Sequence, residues 1–189
     1  IRDRDDMDHL VEEVSVTRRE PRGLLRVCSS FGFGRRVVAP ALSAFVGQHP
    51  AMQVRFDVAD RLIDVAAEGY DLDVRVGDDI APHVIARKIA NNHRVLCAAP
   101  AYLAERGVPR TLAELPSHDC LVIKERDHPF GVWRVHRGRQ AHTVKVRGPL
   151  SANNGEMVVQ WAVDGRGIIL RSMWDVGPLI AQGLSLIHI

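Results

Sequence analysis

Residues 66–77 read AAEGYDLDVRVG, and this stretch constrains the fold more than any other. Asp71, Leu72, Asp73, Val74, Arg75 and Val76 alternate polar and apolar side chains, the period of a strand. Upstream, Leu62, Val65 and Ala66 follow a helical period, and Gly69 stands where that helix would end. The unit is helix, glycine, short strand, glycine, as at a helix-to-strand turn of an α/β domain. Asp71, Asp73 and Arg75 share one strand face. An ion pair between Asp73 and Arg75 is therefore expected, with a contact to a ligand cation as the minor alternative.

The same alternation runs through residues 24–98 and predicts a parallel sheet with helices on its faces. Strands are expected at Leu24–Cys28, Gln53–Val58, Leu72–Val76, Val84–Ala90 and Val95–Ala98, with helices near Gly34–Gln48 and Leu62–Glu68. Beyond Ala99–Pro100 a second α/β lobe is expected. Its helices are Ala101–Arg106 and Glu156–Asp164. Its strands are Cys120–Ile123, Trp133–His136, Thr143–Val146, Leu150–Ala152 and Ile168–Leu170. A last helix is expected at Trp174–Ala181.

Composition narrows the class. The chain has 189 residues, 46% hydrophobic and 25% charged, as in an ordinary globular protein. No apolar run reaches membrane-spanning length and no signal peptide opens the sequence. Cys28, Cys97 and Cys120 lack metal-type spacing, and free buried thiols in a cytoplasmic protein are expected. Net charge is +2, and the scattered arginines predict no nucleic-acid footprint within this segment.

The AAEGYDLDVRVG segment resembles the EG-x-D-hydrophobic-x-hydrophobic-R-hydrophobic-G signature of the LysR-type transcriptional regulators, in the domain that binds their effector. Other segments resemble the same family in order: GLLRVC (23–28) its first strand, FGRRVVAPALSAFVGQHP (33–50) its first helix, and DRLIDV (60–65) the turn after its second strand. RVLCAAPAYLAERG (94–107) resembles its crossover and PRTLAELPSHDC (109–120) the segment that follows. Ser151–Asn154 and GRGI (165–168) complete the pattern over about residues 23–183. The resemblance implies an α/β, two-lobed periplasmic-binding-protein-like (type 2) fold with two crossovers. Residues 1–22 would be the remnant of a linker helix, with a winged helix-turn-helix domain missing before it. Residues 23–98 would form lobe I, 99–172 lobe II, and 173–183 the return to lobe I. Residues 184–189, LSLIHI, are expected to be a non-native read-through tail; a native terminal strand is the alternative.

Candidate ligand-binding residues cluster after the strands, where open α/β sheets receive ligands. Ser29, Ser30, Phe31 and Gly32 lead from the first strand into a helix whose free N–H groups favour a carboxylate; plain capping is the alternative. Gly32 departs from the Ser or Thr common in the family. Asp60 and Arg61 follow the second strand, where Arg61 would pair with an acidic effector or merely begin a helix. Asn153 and Asn154 precede the second-lobe helix, one as an N-cap and one free for ligand.

Two patterns mislead. Gly32-Phe33-Gly34 gives most of a dinucleotide fingerprint, with Asp57 further on, but Val37 stands where the third small residue belongs. The nine histidines show no paired metal spacing, and no metal, cofactor or catalytic constellation is expected. The resulting expectation is a non-enzymatic sensor of a small, anionic metabolite bound between lobes. DNA would be reached through the missing N-terminal domain. The alternatives are a solute-binding protein of a transporter and a nucleotide-cofactor enzyme. The resemblance also implies a homodimer or homotetramer built from helices. Val38/Leu42/Phe45 and Val158/Trp161 are expected to face the core. Val37, Ala41, Ala44, Val159 and Val163 are expected to face a partner.

Overall fold

The computed structural model describes residues 20–59, 61–77, 80, 83–124, 129–137, 140–182 and 187–188. The first lobe is a parallel sheet in the order β2-β1-β3, with β1 Gly23–Ser29, β2 Met52–Val58 and β3 Leu72–Val74. Val27 lies opposite both Phe56 and Leu72, so Leu25, Val27, Val54 and Phe56 share a face. Helix α1 covers that face. It runs without a break through Phe31–Phe33, Gly34–Val38 and Ala39–Gln48. A Cβ on Gly34 would stand 2.8 Å from Val58 Cγ1, so glycine lets the helix lie directly on the sheet.

The middle segment of α1 is a π turn, closed by the Ala39 N–H donating to the Gly34 carbonyl. Pro40 explains it. Proline has no N–H for the Arg36 carbonyl, and its ring would crowd that oxygen in a regular α-helix. Widening the ladder by one residue relieves the conflict.

The AAEGYDLDVRVG unit folds more economically than its periodicity suggests. The expected helix Leu62–Glu68 is a single turn over 65–69. Tyr70 N–H donates to the Val65 carbonyl at 2.9 Å, and Gly69 N–H to that of Ala66 at 3.4 Å. This is a Schellman closure, and Gly69 at φ 72° supplies its left-handed residue. The Asp73–Arg75 ion pair forms as expected.

The expected strand Val84–Ala90 does not form. Ile85 and Ile89 are 102% and 81% exposed. Strand propensity needs a neighbouring strand and a face to bury, and this segment has neither.

The second lobe is built around β4 (Arg94–Ala98), antiparallel to β9 (Ile169–Ser172). Cys120 bridges Ile168 in parallel, and β5 (Val122–Ile123) pairs with β8 (Ser151–Ala152). Alternation then sorts the side chains into two cores. Ala98, Cys120, Val122, Ile168 and Leu170 face α2 (Pro100–Arg106), the 3₁₀ turn Leu112–Ser117 and the hairpin β6–β7 (Val132–Arg137, Gln140–Lys145). Val95, Cys97, Leu121 and Ile169 face α3 (Gly155–Val163) and α4 (Met173–Ala181). Ile168 and Ile169 are fully buried, one on each side; each contributes roughly 1.5–3 kcal/mol relative to exposure.

Two further expectations are corrected. Val159 is a core residue at 4% exposure and Val163 packs half-buried against the same core, so neither belongs to a free face. The expected strand Thr143–Val146 is β7, Gln140–Lys145, because its partner β6 sets the register from Arg137 opposite Gln140. Helix α4 packs on the second core through Val176, and its first turn reaches α1. Residues 1–19 of the expected linker segment 1–22 and most of the tail lie outside the described residues. Within the tail, Ile187–His188 (β10) pairs antiparallel with β4 at its outer edge.

Candidate functional site

Three helices begin where the two lobes meet. The first turn of α1 comes from the body of the β2-β1-β3 sheet, and the first turns of α3 and α4 from the body built on β4 and β9. Residues 94–98 and 173–183 were expected in lobe I, but Val95, Cys97 and Val176 pack in the second core. A Cβ on Gly32 would stand 3.3 Å from Glu156 Cγ and 3.6 Å from Trp174 Cη2. Phe33 meets Trp174 edge-on, with ring centroids 5.1 Å apart. The departure from Ser or Thr at Gly32 thus has a local reason: a Cβ there would crowd Glu156 and touch Trp174.

Arginines and carboxylates interleave across this junction. Arg35 Nε donates to Glu156 Oε1 at 3.1 Å, and Arg36 Nε lies 3.4 Å from the same oxygen. Arg36 also pairs with Asp175 through Nη1. Arg171 Nε donates to the other Asp175 oxygen at 2.5 Å, and its guanidinium lies 5.8 Å from the Trp174 ring centroid. Asp175 is completely buried between these two guanidiniums. A Cβ on Gly155 would come within 2.4 Å of the Arg171 guanidinium, so Gly155 leaves the space that Arg171 fills. The Glu156 hydrogen bond and charge hold the Arg35 guanidinium above its ordinary pKa. The count is three guanidiniums against two carboxylates, at three helix N-termini. Trp174 Nε1 is buried with no hydrogen-bond partner among the described residues. Such a junction favours a further anion or acceptor.

The expected residues divide. Ser30, Phe31 and Gly32 open α1 at the junction, and Ser30 makes no side-chain cap. Asn154 caps α3, its Oδ1 accepting from Glu156 N–H at 2.8 Å, and Asn153 is exposed beside it. Ser29 is turned away: buried, its hydroxyl donates to the Val74 carbonyl at 2.5 Å. Arg61 is engaged locally by a two-pronged pairing with Glu68, whose carboxyl it holds below the ordinary range. Asp60 lies outside the described residues. Sequence reading did not select Arg35, Arg36, Glu156, Arg171, Trp174 or Asp175. The only local signal was the four-residue spacing of Arg171 and Asp175, which straddles the start of α4. A depression lined by Leu121, Ile123, Trp133 and Arg134 lies beside the β6–β7 hairpin and includes none of the junction's residues.

Residues 18–188 match the family described as the LysR substrate binding domain. The chain belongs to this family. It is 56% identical over 178 residues to the HTH-type transcriptional regulator DmlR of Escherichia coli K12, covering 94% of this chain and 58% of the relative. It is 46% identical over 174 residues to the HTH-type transcriptional activator TtdR of the same strain, covering 92% and 56%. This LysR-family chain therefore spans a little over half the length of those curated relatives. Among solved structures it resembles CrgA of Neisseria meningitidis, a LysR-type regulator, with TM-score 0.79 at 26% identity over 100% of this chain and 63% of that one. The CrgA regulatory domain alone gives TM-score 0.73 at 28% identity over 89% and 81%. The two-lobed, periplasmic-binding-protein-like α/β fold implied by the resemblance is the fold of this LysR domain.

Proposed function

We propose that this LysR-family domain is the sensor of a cytoplasmic transcriptional regulator, and that it binds a small carboxylate where α1, α3 and α4 begin. The observation that carries this reading is the junction's unbalanced charge together with the unpartnered Trp174 Nε1. Ser30, Phe31, Gly32 and Asn153 border the same place, and its residues come from both lobes. A ligand bound there differentially stabilises one lobe arrangement, which is the condition for shifting a conformational equilibrium. Attached DNA-binding domains and subunits of a homo-oligomer would read that shift. No residue of the site is asked to catalyse a reaction.

The test is a thermal-shift screen with aromatic acids, amino acids and other small carboxylates, each beside its neutral amide. A ligand at a hundred times its Kd stabilises the folded state by about 2.7 kcal/mol. The midpoint should then rise by several degrees for at least one acid and not for its amide. Amides matching their acids, or no acid raising the midpoint at millimolar concentration, would remove the anionic reading.

A further inference from the structure

Four arginines and one lysine fall close together along the β6–β7 segment. Residues 132–147 hold five Arg or Lys, two His and no Asp or Glu. The whole chain has 25 basic and 23 acidic residues, so the remainder carries 20 against 23. The hairpin is +5 on a chain whose other residues sum to −3. The structure then sorts these residues by face. Trp133, Val144 and Val146 are buried in the core, while Arg134, Thr143, Lys145 and Arg147 are exposed. Arg134 is opposite Thr143 and Lys145 is opposite Val132. Arg134 and Lys145 are thus diagonal neighbours on the outer face, roughly 7–8 Å apart. Arg147 continues the row two residues beyond Lys145.

Several cations elsewhere on the molecule are neutralised. Arg35, Arg36, Arg61, Arg106 and Arg171 each face a carboxylate. Among the described residues, Arg134, Lys145 and Arg147 have no such partner. Their spacing is close to the screening length of about 8 Å at physiological salt, so they act as one field.

We propose that the outer face of the β6–β7 hairpin binds the phosphate backbone of double-stranded DNA through Arg134, Lys145 and Arg147. The face is a two-stranded ribbon, and guanidinium forks match phosphate oxygens. Its exposed centre, formed by Arg134, Thr143 and Lys145, holds no aromatic or large aliphatic anchor of the kind that dominates protein interfaces. That favours a polyanion over an acidic protein. The contact reads no sequence and is weak alone. On a chain tethered to DNA by another domain, high effective concentration would make it count. The scattered-arginine expectation of no nucleic-acid footprint would then be overturned by the strand pairing, which assembles the patch. The proposal does not depend on the effector reading.

Fluorescence anisotropy of this chain with a labelled mixed-sequence duplex at low salt tests it. Non-specific binding in the range of about 1–100 μM is expected, with a logarithmic salt dependence of about 0.9 per phosphate neutralised. Arg134→Glu with Lys145→Glu should weaken binding at least ~tenfold and lower the salt slope by about 2. Arg166→Glu, the same kind of charge reversal outside the hairpin, should leave affinity within about twofold. Should the double reversal fail to fold, Arg134→Gln with Lys145→Gln must still lower the slope. Absence of duplex binding, equal loss in Arg166→Glu, or an unchanged slope in the hairpin variants would overturn the proposal. So would tighter binding of polyglutamate than of duplex, which would assign the face to an acidic protein.

Discussion

Arg36 and Asp175 lie 139 positions apart, yet they form an ion pair across the lobe junction. Asp175 is completely buried, and Arg171 holds its second oxygen. Two guanidiniums from different lobes thus share one carboxylate that has no access to water. Removing that charge leaves both cations facing each other. Asp175→Asn should lower unfolding stability by about 2–4 kcal/mol, slightly below the usual range for a broken buried pair because Arg36 is partly solvated. Urea denaturation measures this directly. A loss under about 0.5 kcal/mol, the scale of surface substitutions, would show that the junction is not structural.

The three thiols are held inert. Burial pushes Cys97 and Cys120 up to about 12, and it also raises Cys28. Only the thiolate reacts with alkylating agents. At pH 8 the folded protein should therefore be labelled no faster than it unfolds, and urea should accelerate labelling of all three together. Rapid modification of any one in native buffer, followed by mass spectrometry, would contradict the burial assigned to it.

Glu114 gives the chain an acid-sensitive turn. Its carboxylate accepts from the Arg110 N–H and the Thr111 hydroxyl, both at 2.9 Å, closing the 3₁₀ turn Leu112–Ser117. The Arg110 hydrogen bond, then that of Thr111, holds its pKa below the ordinary value of 4.5. The folded state therefore favours the charged form. Its stabilisation is complete above the unfolded value and is lost as pH falls through the lower folded value. Glu114→Gln should be less stable than the parent near neutrality, and the difference should shrink on acidification. Urea midpoints taken at about pH 7 and about pH 3 decide it; a difference independent of pH would mean that the charge plays no part.

The helix α1 leaves Val37, Ala41 and Ala44 exposed, and α3 leaves Met157 exposed. An isologous dimer would cover both faces. Ala44→Arg should abolish association in sedimentation velocity while moving the melting midpoint by about a degree or less, as for an ordinary surface change. A parent chain that stays monomeric at high concentration would defeat this reading, whatever the variant does.

Much was legible without coordinates. Strand period placed β1, β2 and β4, and helical period placed α1 and the helices of the second lobe. In each the apolar residues repeat at the spacing that one buried face requires. The G-x-G pattern was set aside because Val37 would obstruct helix–strand packing, but Val37 is exposed on α1 and does not face the sheet, so that reason does not hold in the structure.

What the sequence determined by itself was local: which segments carry a buriable face, where Gly69 closes a turn, and which family the ordered motifs match. The tertiary structure decided everything that depends on partners. Val84–Ala90 has strand-like residues but no strand beside it, so it stays irregular. Arg61 looked free for a ligand until Glu68 proved to be within reach. Arg36, Glu156, Arg171 and Asp175 become one charge cluster only when three helix starts are brought together. Periodicity reports the shape of one element's own surface. Charge pairing, desolvation and ligand geometry arise between elements, so only their packing fixes them.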